Sequence, residues 1–127
     1  NVQGGSAGPL FGTFLSGMQN APKNASATEV LSEGLKELQT ISQAKVGEKT
    51  MMDALIPGVE AMQGCASDRE ALEAGAKAAA QGAENTVNCV AKYGRAKNYG
   101  EKSLGVKDAG ACSIAYIFAG LLAGYEA

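Results

Sequence analysis

Apolar residues recur every three or four positions along most of the chain and nowhere alternate strictly, so the pattern predicts helices and no strand. The first helix starts at Pro9, a residue suited to a first turn, and runs to about Gln19 with Leu10, Phe11, Phe14, Leu15 and Met18 at helical spacing. The second follows the loop Asn20–Ala25. Ser26 and Glu29 form a capping-box pattern there, and Val30, Leu31, Leu35, Leu38 and Ile41 make one apolar face. A third begins near Thr50, with Asp53 three residues on. Met51, Met52, Leu55, Ile56, Val59 and Met62 line it, and Pro57 is expected to kink it. Ser67 and Glu70 open a fourth, which continues through small residues to about Lys92; Gly75 and Gly82 imply close helix–helix approach. The fifth runs from about Ala109 to Tyr125 with Ile114, Ile117, Phe118, Leu121 and Leu122 inward. The fold class is all-α, a bundle of antiparallel helices.

Two stretches interrupt this pattern. Gly4-Gly5-Ser6-Ala7-Gly8 directly precedes the Pro9 helix. Tyr93 to Asp108 is longer than a connector between neighbouring helices needs, and it carries Arg95, Lys97, Lys102 and Lys107.

The chain has 127 residues, enough for one domain spanning 1–127, and 46% of them are hydrophobic, so it can build a core. Net charge is −2, which argues against a nucleic-acid partner, since such proteins carry a basic excess. There is no histidine, which excludes histidine acid–base chemistry, phosphohistidine and histidine-ligated metal within these residues. Cys65, Cys89 and Cys112 match no metal or redox spacing. Lying among small apolar residues, they read as buried thiols of a cytoplasmic protein. No apolar run is expected to cross a bilayer. Ala111 to Ala123 is interrupted by Ser113, Tyr116 and Gly120 and reads as a core helix.

A glycine-rich turn at a helix start presents free N–H groups and the positive end of the helix dipole, an arrangement suited to phosphate. Gly4, Gly5 and Ser6 fit that role, and equally fit a tight turn packed on a neighbouring helix. Arg95 can fork onto a phosphate or stand as a solvated surface arginine. Asp108 precedes the last helix and suits an N-cap better than catalysis. Met51 and Met52 fit a core face, or a soft wall for an adenine ring. Gly47-Glu48-Lys49-Thr50 has the ending of a P-loop, but no strand precedes it and the upstream glycine is missing. Lys49 is left to contact phosphate or pair with a carboxylate.

Taken together, four segments resemble one family in family order. Gly4 to Phe14 resembles the glycine-rich segment of the dihydroxyacetone kinase L subunit (DhaL-type). Val46 to Leu55 resembles its G-D-K-T-M-x-D segment, Tyr93 to Ser103 its G-R-A-S-Y-x-G-E-R-S segment, and Lys107 to Ala111 its D-P-G-A segment. The resemblance implies a barrel of eight antiparallel helices, here about five of them, with ADP or ATP at one end. It implies nucleotide contacts at Gly4, Gly5, Ser6, Ala7, Ser42, Met51, Arg95, Asp108, Ala109 and Gly110, with Met51 and Ser42 by the base and Asp108 both capping the last helix and shaping the lid. Departures are mild: Ser6-Ala7 replaces the family's Ala-Ser or Thr-Ser pair, and Glu48, Lys97 and Ala109 replace Asp, Ser and Pro.

One departure is larger. The family's magnesium ligands are an Asp cluster, expected here upstream of Asn1, so no metal ligand and no catalytic residue are assigned within this chain. These 127 residues alone are expected to be inactive. The implied function is phosphoryl transfer to dihydroxyacetone held on a K subunit, with the phosphotransferase-system version and its donor M subunit fitting a separate L chain. A truncated or degenerate non-catalytic helical module is the alternative. The nucleotide domain of a fatty-acid kinase ranks lower, because its relatives lack the loop at Gly94–Tyr99. An incomplete barrel exposes apolar faces, which favours self-association or docking of a missing segment.

Overall fold

The computed structural model describes residues 7–91 and 104–126. Five α-helices and no strand occur among them: α1 (Ala7–Met18), α2 (Ala27–Leu38), α3 (Met52–Met62), α4 (Asp68–Asn85) and α5 (Ala109–Glu126). A 3-10 turn, Thr86–Asn88, continues from α4. Helix starts follow the local signals. Ser26 and Glu29 close a full capping box, with Glu29 N–H donating to the Ser26 hydroxyl at 3.1 Å and Ser26 N–H to the Glu29 carboxylate at 2.9 Å. Ser67 caps α4 through Glu70 N–H at 3.2 Å, but Glu70 takes the Ala66 N–H instead of closing the box.

The fourth helix is shorter than its pattern implies. It ends at Asn85 because the Thr86 hydroxyl turns back onto the Ala83 carbonyl at 2.6 Å and the chain tightens into the 3-10 turn.

Helices α3, α4 and α5 form the main core. Gly75 faces Met62 and Gly82 faces Asp53, so α4 runs against α3. Gly58 faces Phe118 and Gly110 faces Met51, so α3 and α5 run in the same direction. The ring of Phe118 is fully buried and lies between Gly58 and Gly75, where side chains would leave it no room. Helix α1 pairs with α2 through Phe14 and Met18, which press on Gly34. The start of α2 is tied to the core by Ala27 N–H on Asp68 at 3.1 Å and by the Thr28 hydroxyl on the Met62 carbonyl at 3.4 Å.

Three expectations need correction. The cysteines are only partly buried: Cys65 and Cys112 pack against the edge of the core, and Cys89 lies in the connection after the 3-10 turn. Leu15 and Leu121 are exposed, since α1 and α5 are apolar around most of their circumference while each buries a narrow face, Ala111, Ile114 and Phe118 in the case of α5. Helix α5, at 18 residues, is also long and apolar enough to cross a bilayer by length and composition, a test that core helices pass as well.

Candidate nucleotide-binding end of the bundle

Because α3 and α5 are parallel and α4 opposes them, one end of the bundle gathers two helix N-termini and the end of α4. The positive dipole ends of α3 and α5 point the same way there. The turn before α3 is built around Asp53, which is 2% exposed. Its carboxylate accepts the Gly47 N–H at 2.5 Å and the Thr50 N–H at 2.8 Å, and the Thr50 hydroxyl accepts the Met52 N–H at 3.0 Å. Gly47 has a φ of 100°, which explains the glycine at this position.

Lys49 also occupies the left-handed region, at φ 64°, and its side chain is buried at 4% exposure. Its ammonium donates to the Thr86 carbonyl at 2.5 Å and to the Val106 carbonyl. The lysine is therefore turned inward onto backbone and is not presented to a phosphate, contrary to one of the roles its motif suggested. Asp108 caps α5 as expected, accepting the Ala111 N–H at 2.9 Å, while its own N–H donates to the Thr86 hydroxyl at 2.8 Å. Burial pushes the Asp108 carboxyl above its ordinary value; the Ala111 N–H opposes this, Asp53 adds to it, and Lys49 and the Gly110 N–H oppose it. Burial, with Asp53 adding and Lys49 opposing, likewise raises the Cys89 thiol.

Of the residues implied for the nucleotide, Met51, Asp108, Ala109 and Gly110 come together at this end. A Cβ on Gly110 would stand 3.1 Å from the Asp108 carboxylate and 3.3 Å from the Met51 Cβ. Met51 is 4% exposed and forms the floor beneath that turn. Ser42 lies in the connection after α2, its hydroxyl accepting the Ala44 N–H at 3.3 Å. Ala7 begins α1, the helix paired with α2. Gly4, Gly5, Ser6 and Arg95 lie outside the described residues. Sequence reasoning missed the part played by Thr86, whose hydroxyl and carbonyl both serve this end; a threonine after a long helix carries no signal of it.

The described residues do not fit a magnesium ion. They hold no group of three or more His, Cys, Asp or Glu side chains placed to hold a metal ion, and both oxygens of Asp53 and one of Asp108 accept backbone N–H groups.

The family model of the DAK2 domain matches residues 1–123. This chain belongs to the DAK2 domain family. It is 36% identical to a PEP-dependent dihydroxyacetone kinase ADP-binding subunit DhaL of Listeria innocua, over 84% of the chain and 54% of that protein. It is 36% identical to a PTS-dependent counterpart of Lactococcus lactis, over 94% of the chain and 59% of that protein. An L-erythrulose kinase of Pectobacterium atrosepticum is 33% identical over 90% of the chain and 21% of its own length. The chain spans little more than half the length of these two ADP-binding subunits. Its DAK2 helices place the motif-bearing segments around Met51 and Asp108 at a single end of the bundle.

Proposed function

We propose that this chain forms the nucleotide-holding end of a dihydroxyacetone kinase L-type subunit, binding ADP or ATP beside a K subunit that carries dihydroxyacetone. The observation that carries the reading is the meeting of Met51 with the Asp108–Ala109–Gly110 turn at the shared N-terminal end of α3 and α5. Two helix dipoles there favour phosphate, and the Met51 floor offers a soft contact for a base. Gly4, Gly5, Ser6, Ala7 and Arg95 would complete the phosphate contacts, and Ser42 the base contact, as the resemblance implies. The nucleotide supplies the phosphoryl group; these residues orient it. The magnesium ligands belong upstream of Asn1 in this reading, and a phosphoprotein M subunit is the donor in its phosphotransferase-system form.

Two relatives named as ADP-binding subunits support the nucleotide, and one named as an L-erythrulose kinase extends the substrate class to short ketoses. A second reading, a non-catalytic module of the family, is favoured by the engagement of Asp53 and Asp108 with backbone. The deciding experiment is calorimetric titration of the natural protein with ADP, followed by a turnover assay with dihydroxyacetone, a K subunit and a phosphoryl donor, either ATP with magnesium or a phosphorylated M subunit. Saturable binding weakened by Arg95→Ala, with turnover, is expected. Binding without turnover selects the non-catalytic module, and absence of ADP and ATP binding overturns the nucleotide reading. The 127-residue chain alone is expected to bind weakly and with little response to magnesium.

A further inference from the structure

We infer that Lys49 and Thr86 are positioning residues for the nucleotide turn: together they fasten residues 104–108 to the end of α4, so that Asp108–Gly110 enters α5 already in its binding geometry. The inference rests on the nucleotide reading above and assigns the part that two residues in no proposed contact would play in it.

The segment from Leu104 to Asp108 is exposed along most of its length and contributes little apolar burial of its own. Polar ties hold it instead. Gly105 N–H donates to the Val87 carbonyl at 2.6 Å, the Val106 carbonyl accepts the Lys49 ammonium, and Asp108 N–H donates to the Thr86 hydroxyl at 2.8 Å. The same ammonium holds the Thr86 carbonyl at 2.5 Å, so one buried cation joins the turn before α3, the end of α4 and the entry to α5. The Thr86 hydroxyl uses both its functions, donating to Ala83 and accepting from Asp108, and the residue is fully buried.

A lysine buried this deeply is tolerated only when its charge is met by good acceptors. Those acceptors are backbone carbonyls of two segments distant in sequence, which makes the charge a clasp and leaves it unavailable to a ligand. Ligand donors fixed in advance bind more tightly than donors that must be ordered on binding, because a fractionally populated competent state lowers apparent affinity by that fraction. Loosening the clasp therefore acts on nucleotide affinity as well as on stability.

The test compares Thr86→Val and Thr86→Ser in the natural protein by ADP titration, well below the melting temperature of each. Valine keeps the shape and loses the hydroxyl; serine keeps the hydroxyl and loses the methyl. Leu31→Val, in α2 and away from the turn, controls for lost stability. The expected result is ADP affinity reduced about tenfold in Thr86→Val, the scale of one lost buried hydrogen bond, and close to wild type in Thr86→Ser and Leu31→Val. Lys49→Met should weaken ADP in the same manner. Should Thr86→Val and Lys49→Met fail to fold, amide exchange of the ligand-free wild type decides: protected Gly105 and Asp108 amides support the clasp, and freely exchanging ones overturn it. Unchanged affinity in Thr86→Val, or losses that track melting temperature across all variants, also overturn it. A wild type that binds no ADP removes the nucleotide reading, and the inference with it.

Discussion

Gly82 of α4 lies so close to Asp53 of α3 that a Cβ on it would stand 2.0 Å from the Asp53 carbonyl oxygen. Pro57, four residues after Asp53, has no N–H to give that carbonyl, so the oxygen lacks its usual helical donor. Proline and glycine thus act as a pair: one frees the carbonyl, the other lets a neighbouring backbone come onto it. Gly82→Ala must push two backbones apart and is expected to cost about 1–3 kcal/mol in urea unfolding. Gly120→Ala is the contrast. Nothing lies within 4 Å of an added Cβ there, and the change should stabilise by about 0.5–1 kcal/mol through helix propensity.

Phe118→Ala should be among the most damaging single changes in the core. Its ring is fully buried between Gly58 and Gly75, neither of which has a side chain to move into the space. A loss of about 3–5 kcal/mol is expected, read from the denaturation midpoint with the slope unchanged.

Asp53→Asn replaces an acceptor by an amide that cannot satisfy both N–H groups Asp53 now receives. One of the Gly47 and Thr50 N–H groups then faces a donor. The expected cost is about 1–3 kcal/mol, with Gly47 and Thr50 amides exchanging faster, while Asp53→Glu should not restore the paired geometry.

Asp108 gives a pH dependence of definite sign. Its folded carboxyl titrates above the ordinary value of 3.8, so the folded state holds the proton longer than the unfolded chain. The stability this contributes is fully present below the ordinary value and is lost as pH rises through the folded value. Asp108→Asn cannot titrate and keeps an oxygen for the cap. The stability difference, wild type minus variant, should therefore be larger near about pH 4 than near about pH 7. Urea denaturation of both proteins at the two pH values checks it; a difference that grows with pH would refute the assignment.

Much of the fold was legible where local chemistry decides local structure. Ser26 with Glu29, and Asp108 before the last helix, announce helix starts because a side-chain oxygen near free N–H groups works the same way in any context. The glycines Gly75 and Gly82 announced close approach, and it is found at both. Less legible was everything set by partners far along the chain. Lys49 reads as a contact for phosphate or for a carboxylate, because its motif is short and polar; only the arrival of the Thr86 and Val106 carbonyls turns it onto backbone instead. The end of α4 was misplaced because an alanine-rich run favours helix until a tertiary demand on Thr86 stops it. Of the implied site, Met51 and Asp108–Gly110 lie together at one end of the bundle, a proximity set by helix packing and not readable from the motifs themselves.

The arrangement of α1 with α2, and of α3 with α4 and α5, bears on how the chain reaches this state. Each helix finds its principal neighbour close along the sequence, so little loop closure precedes the first favourable contacts. Topologies of that kind fold on the order of microseconds to milliseconds. The two groups share one core, to which Phe14, Leu31 and Leu38 contribute, and are tied further at Ala27 and Thr28, so the α1–α2 hairpin and the three-helix unit should each close before they dock. A chain ordered in that sequence has the Asp108–Gly110 turn in place as soon as α5 settles on α3 and α4.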